Sequence, residues 1–168
     1  MKKLVWLVVL MMCFTGCGND AEPVFETVAD EILEPAAADP APMAVWLPEG
    51  AAALTMAEAG ECYAWGENEL RLQTLQGGDI RATLQQLTGL DPERLTVMEY
   101  ERDGLQLYQT VWTMIGEEGV SLGRCMVADD GNYHYCISMV SPETADVGEE
   151  FARICASLDL TGEEKGEK

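Results

Sequence analysis

Six cysteines and a lone histidine are the side chains best suited to chemistry in this chain of 168 residues. His134 and Cys136 stand two apart, so on a strand they share a face. A Cys–His pair is the heart of a thiol nucleophile. It needs the imidazole within about 3 Å of sulfur, and a third group to orient it. Residues two apart on a strand are separated by about 6.5–7 Å at Cα, which fits such a dyad poorly and leaves His134 on a solvated strand. Cys62, Cys125, Cys136 and Cys155 offer a second chemistry. A hairpin closing on Asp130-Gly131 sets Cys125 directly opposite Cys136, with Cβ atoms about 4.5–5.5 Å apart, near the span of a disulfide. That pair falls at a hydrogen-bonded site, where the strands stand wider apart. The alternative is four buried thiols acting as small hydrophobes.

Other chemistries find no support in the spacing. Zinc needs a cluster of His, Cys or carboxylate ligands, and there is no Cys-x-x-Cys or His-x-x-x-His. Asp129-Asp130-Gly131-Asn132 lacks the 12-residue loop and closing Glu of a calcium hand, and reads as a turn. There is no phosphate loop, dinucleotide fingerprint or Gly-x-Ser-x-Gly. The expectation is no catalytic residue, no metal and no cofactor.

The remaining cysteine chemistry lies at the start of the chain. Lys2 and Lys3 precede an uncharged run, Leu4 to Phe14, that closes on Phe14-Thr15-Gly16-Cys17. A basic start, a short apolar run and small residues make a secretory signal peptide. The run is too short for a bilayer, which demands roughly 20 residues. Gly16-Cys17 resembles the lipobox of bacterial lipoproteins, although Phe14 stands where Leu is usual. The resemblance implies cleavage after residue 16 and lipid on Cys17, which would hold the protein on the outer side of the cell membrane. Gly18 follows the cysteine, so no Asp suggests inner-membrane retention.

Residues 17–42 then read as the lipidated cysteine and a disordered tether. Ala, Pro, Asp and Glu dominate, and such a segment buries too little apolar surface to offset its ordering entropy. The formal net charge is −20, and loss of Lys2 and Lys3 makes the mature chain more negative still. Nucleic acid is excluded as a partner, because phosphates demand Lys and Arg. An anionic membrane surface repels the chain, so the lipid must do the holding. Residues 161–168 read as a disordered charged tail.

Residues 43–160 form one domain. Met43 to Leu47 reads as a short strand, and Glu61–Trp65 and Glu69–Leu75 as a hairpin around Gly66-Glu67-Asn68. In that hairpin Cys62, Ala64, Leu70 and Leu72 are expected to share one face, with Glu61, Glu69, Arg71 and Gln73 on the other. Asp79 caps a helix whose stripe is Ile80, Leu84 and Leu87, and Gly89 ends it. Two further hairpins follow, Leu95–Arg102 with Leu105–Ile115 about Asp103-Gly104, and Val120–Ala128 with Tyr133–Val140. Ser141 and Pro142 are placed to open a last helix, with Val147, Phe151, Ile154, Cys155 and Leu158 on its apolar side. The expected class is α+β: an antiparallel meander of about six to seven strands packed with two helices.

That order, with Tyr135-Cys-Ile-Ser-Met-Val140 followed by Phe151-Ala-Arg-Ile-Cys-Ala-Ser-Leu158, resembles the PsbP-like fold. The resemblance covers about residues 43–160 and implies a protein that binds other proteins. Tyr108, Thr110, Trp112 and Met114 can line one strand face, which is a candidate binding surface if no helix covers it. The functional expectation is a non-enzymatic, lipid-anchored, extracytoplasmic lipoprotein that binds a protein or other envelope partner. A small-ligand-binding lipoprotein and a thiol enzyme using Cys136 and His134 are the alternatives.

Overall fold

The computed structural model describes residues 39–54, 60–116 and 119–162, all within the compact unit Ala36–Lys168. The expected leader, Cys17, nearly all of the expected tether and the residues beyond 162 lie outside the described residues.

Seven strands make one antiparallel sheet: β1 (Ala52–Leu54), β2 (Glu61–Trp65), β3 (Asn68–Gln76), β4 (Val97–Arg102), β5 (Leu105–Gly116), β6 (Gly119–Asp129) and β7 (Tyr133–Pro142). Their spatial order is β1-β2-β3-β7-β6-β5-β4, so the sheet is open, with β1 and β4 at its edges. Helix α1 (Ile80–Thr88) follows β3, and helix α2 (Gly148–Ala156) follows β7. The class is α+β.

Side chains alternate along each strand, so the sheet has two apolar faces, each with a helix. Leu70, Leu107, Met126, Tyr135, Ile137 and Met139 meet Phe151, Ile154 and Cys155 of α2 on one face. Trp112, Cys125, Val127 and Cys136 meet Leu84 of α1 on the other. The segment before β1 packs on the α2 side: the Trp46 N–H donates to Ser157 Oγ at 2.7 Å, and the Arg153 guanidinium lies 3.8 Å from the Trp46 ring centre.

Local chemistry explains the elements. Asp79 accepts from the Arg81 N–H at 3.0 Å, and Gly89 adopts the left-handed conformation (φ 69°) that ends α1. Asp103 (φ 54°) and Gly104 (φ 79°) both take positive φ, as a two-residue turn between Arg102 and Leu105 requires.

Four expectations change. Trp65 pairs with Asn68, so the β2–β3 turn is Gly66-Glu67 alone. One residue fewer in the turn moves the partner strand to its opposite face. Cys62 now lies beside Arg71, and Leu70 and Leu72 share their face with Tyr63 instead. Met43 to Leu47 makes a single bridge, Ala44 to Asp159, and the edge strand is Ala52–Leu54. Ser141 and Pro142 do not open α2. They extend β7 against Leu122 and Ser121, and the helix starts at Gly148 with no side-chain cap on Val147. The β6–β7 ladder closes on Asp129 and His134, two residues wider than a turn on Asp130-Gly131 requires.

Candidate functional site

The wider β6–β7 loop decides the cysteine chemistry. Cys125 stands opposite Ser138, and Cys136 opposite Val127. The two thiols are diagonal neighbours, where Cα atoms lie about 7–8 Å apart, too far for an unstrained bridge. The disulfide expected between Cys125 and Cys136 is therefore not formed, and both thiols are free and buried. Burial pushes Cys125, Cys136 and Cys155 each up to about 12. A thiol at that value is almost wholly protonated at neutral pH and is a poor nucleophile. Burial, followed by the nearby Glu69 carboxylate, pushes Cys62 upward too.

His134 is not on a solvated strand. It is fully buried under α1, because β7 lies inside the sheet and both of its faces are covered. Its Nδ1 is 2.7 Å from Thr83 Oγ1 on the helix. Its Nε2 faces Asp129 Oδ2 at 3.6 Å, beyond a good hydrogen bond, and has no hydrogen-bond partner. The Cys136 thiol donates to the backbone carbonyl of His134 at 3.6 Å, not to the ring. The Thr83–His134 contact thus ties α1 to the sheet rather than activating a thiol.

Tyr108, Thr110, Trp112 and Met114 do share a face, as expected, but α1 covers it. Trp112 is 7% exposed and Thr110 4%, while Tyr108 and Met114 are half-buried in the same cluster. An apolar surface that remains open lies on the opposite side of β4 and β5.

There, β4, β5 and β6 form the floor of a groove of about 670 Å³, and α2 forms its wall. Met98 and Tyr100 come from β4, Gln109 and Val111 from β5, Arg124 from β6, and Phe151 and Cys155 from α2. Met98 is 60% exposed and Val111 58%, large apolar side chains left in solvent beside the opening. The Tyr100 hydroxyl accepts from Gln109 Nε2 at 2.8 Å. Burial pushes that hydroxyl's pKa up, against the pull of Arg102.

Two arginines line the groove. Arg102 donates through Nη2 to the Cys155 carbonyl at 3.2 Å and stands 3.8 Å from Asp103. Arg124 donates through Nη1 to the buried Ser141 hydroxyl at 3.0 Å. No Asp or Glu is within ion-pair distance of Arg124 among the described residues, and no carboxylate lines the groove. Two other grooves of similar size, about 560 and 570 Å³, carry Glu61 and Glu67 respectively and no cation. No motif in the sequence marks these residues as a site. One signal was present: Arg124 interrupts the apolar run from Leu122 to Ala128, and a cation on an interior strand needs a reason.

Among the described residues no three His, Cys, Asp or Glu side chains gather as a metal site, and no helix is long and apolar enough to cross a membrane. No family model matches the chain, and no curated protein matches it. Among solved structures it is similar to a crystal structure from Bacteroides thetaiotaomicron, with a TM-score of 0.52 and 14% identity. The match covers 75% of this chain and 47% of the other, so the chain spans about half of that protein's length. At this identity the likeness concerns the fold alone.

Proposed function

We propose that this protein is a lipid-anchored cell-envelope lipoprotein whose domain is a non-enzymatic binding module, and that the groove between α2 and β4–β6 is its binding site. The observation that carries the reading is the groove itself: apolar walls, two arginines and no carboxylate, in a chain with 30 acidic residues. The leader pattern ending at Cys17 supports the anchor and an extracytoplasmic location. The sequence resemblance to the PsbP-like fold, carried by Tyr135–Val140 and Phe151–Leu158, implies a role in binding. Free thiols held near 12 argue against the thiol enzyme.

The test uses the full chain in a bacterial host, with an alkyne fatty acid as label and a photocrosslinking residue at Val111. Label and membrane retention are expected in the parent and lost in Cys17→Ser, whose domain stays folded because Cys17 precedes a long tether. Light is expected to join Val111 to an envelope component that the same residue at exposed Ala53 does not capture. Label that persists without Cys17 overturns the anchor. Equal capture at both positions, or none, overturns the binding site.

A further inference from the structure

We infer that the groove takes a single-chain amphiphile with a carboxylate head, the head on Arg124 and the apolar chain along Val111, Met98 and Tyr100. The inference rests on the binding reading above and names its ligand class.

The groove is long. Val111 sits directly across from Arg124, and Leu105 directly across from Arg102. Val111 and Leu105 lie six positions apart along β5, about 20 Å at 3.3–3.4 Å per residue. The two arginines therefore mark opposite ends of an apolar channel rather than one pocket. Its 670 Å³ falls within the range of small-ligand sites, about 300–1,000 Å³. A protein partner of ordinary size needs about 800 Å² of surface on each side, whereas a groove of this volume matches a small ligand.

The ends differ. Arg102 is engaged with the Cys155 carbonyl and Asp103, whereas Arg124 spends one N–H on a neutral hydroxyl. Guanidinium carries five donors in a planar fork that matches a carboxylate, so Arg124 keeps donors for a head group. Arg102 raises the potential at the far end and adds to the preference for an anion. The chain as a whole repels anions at a net charge of −20, so a groove without a carboxylate selects where an anion can settle. Met98 and Val111 supply the exposed apolar area that an alkyl chain would remove from water.

Calorimetry on the full chain with dodecanoate, dodecanol and dodecylammonium, each below its micelle concentration, tests this. Dodecanoate is expected to bind once per chain, dodecanol more weakly, and dodecylammonium not at all. Arg124→Gln is expected to weaken dodecanoate about tenfold while leaving dodecanol unchanged, which is the loss of one charge-assisted contact. Arg124→Lys, which keeps the charge, recovers part of it and shows that the site is still folded. Arg81→Gln, on the far helix, changes nothing. Dodecylammonium bound as tightly as dodecanoate, or dodecanoate indifferent to Arg124→Gln, overturns the carboxylate head and leaves the binding site standing. Failure of all three probes to bind overturns the amphiphile and, with absent Val111 crosslinks, the binding site as well.

Discussion

On the face beneath α1, Trp112 lies over Gly123, Leu84 closes from above, and a histidine is sealed in with a threonine from the helix. On the face beneath α2, Ile154 and Phe151 fill the centre over β3, β6 and β7, but Met98 and Val111 toward the β4 edge stay in water. Both faces belong to one sheet, with the same strands and registers. The difference lies in how far each helix covers it. A closed face is spent on stability, and an uncovered strip of apolar floor with cations beside it is free to bind. The open groove therefore lies where α2 stops, and the aromatic strand face that is most apolar in the sequence is covered.

Alkaline pH tests both faces together and has the largest expected effect. Cys125, Cys136 and Cys155 have folded values of about 12 against an ordinary value of 9.0, because burial disfavours the thiolate. Between those values the folded chain keeps its protons while the unfolded chain loses them. The unfolded state then binds fewer protons, so stability falls as pH rises, and below about 9 the contribution is complete. At pH 10 the loss is about 1.4 kcal/mol per thiol, about 4 kcal/mol in all. Urea midpoints at pH 7.5 and 10 measure it. Cys155→Ala should remove about a third of the loss that these three thiols contribute, and Cys125→Ala with Cys136→Ala about two thirds. A share for Cys155 equal to that of Cys125 and Cys136 together would break the reading that the three thiols are buried alike.

Gly123→Ala attacks the closed face by itself. A Cβ at that position falls inside the indole of Trp112, its direct cross-strand partner. The ring is buried and cannot swing away freely, so the expected cost is about 2–3 kcal/mol by chemical denaturation. Dodecanoate binding by the folded fraction should not change, because the groove lies on the other side of the sheet. A double-mutant cycle with Trp112→Leu should return much of the loss, since the two residues share one space. Additive losses would show that Gly123 is needed for something other than room for the ring.

The parts legible in the sequence were those set by neighbours in the chain. Asp79 and Gly89 mark α1 because caps are local, and Asp103-Gly104 marks its hairpin because a two-residue turn depends on those two φ angles. Loop length was not legible. Gly66-Glu67-Asn68 admits turns of different length, and a change of one residue exchanges every side chain between faces. The same uncertainty at Asp130-Gly131 misplaced Cys125 against Cys136. Ser141-Pro142 carries a good helix-start signal, yet pairing with β6 keeps it in the sheet, a tertiary contact overriding a local one. His134 and Arg124 depend on what lies above a strand, which only long-range packing decides. The arginine groove is for this reason not legible in the sequence, while its walls, the apolar strands and α2, are.

Thr83→Val gives the smallest expected effect and the sharpest test of the polar tie beneath α1. Valine keeps the shape of threonine but removes the hydroxyl 2.7 Å from His134 Nδ1. His134 is fully buried and its Nε2 already lacks a partner, so the change leaves a second ring nitrogen unsatisfied in a dry setting. An orphaned buried polar group costs about 1–2 kcal/mol, offset slightly by the added methyl contact. Replacing both ends, Thr83→Val with His134→Leu, should cost less than Thr83→Val alone, because no polar atom is then stranded. Denaturation of the three variants decides it. If the double variant is the least stable, the histidine is held by more than Thr83, and Asp129 at 3.6 Å becomes the partner that matters. In either case amide exchange in α1 should quicken in Thr83→Val while α2 keeps its protection, because the tie joins only the first helix to the sheet.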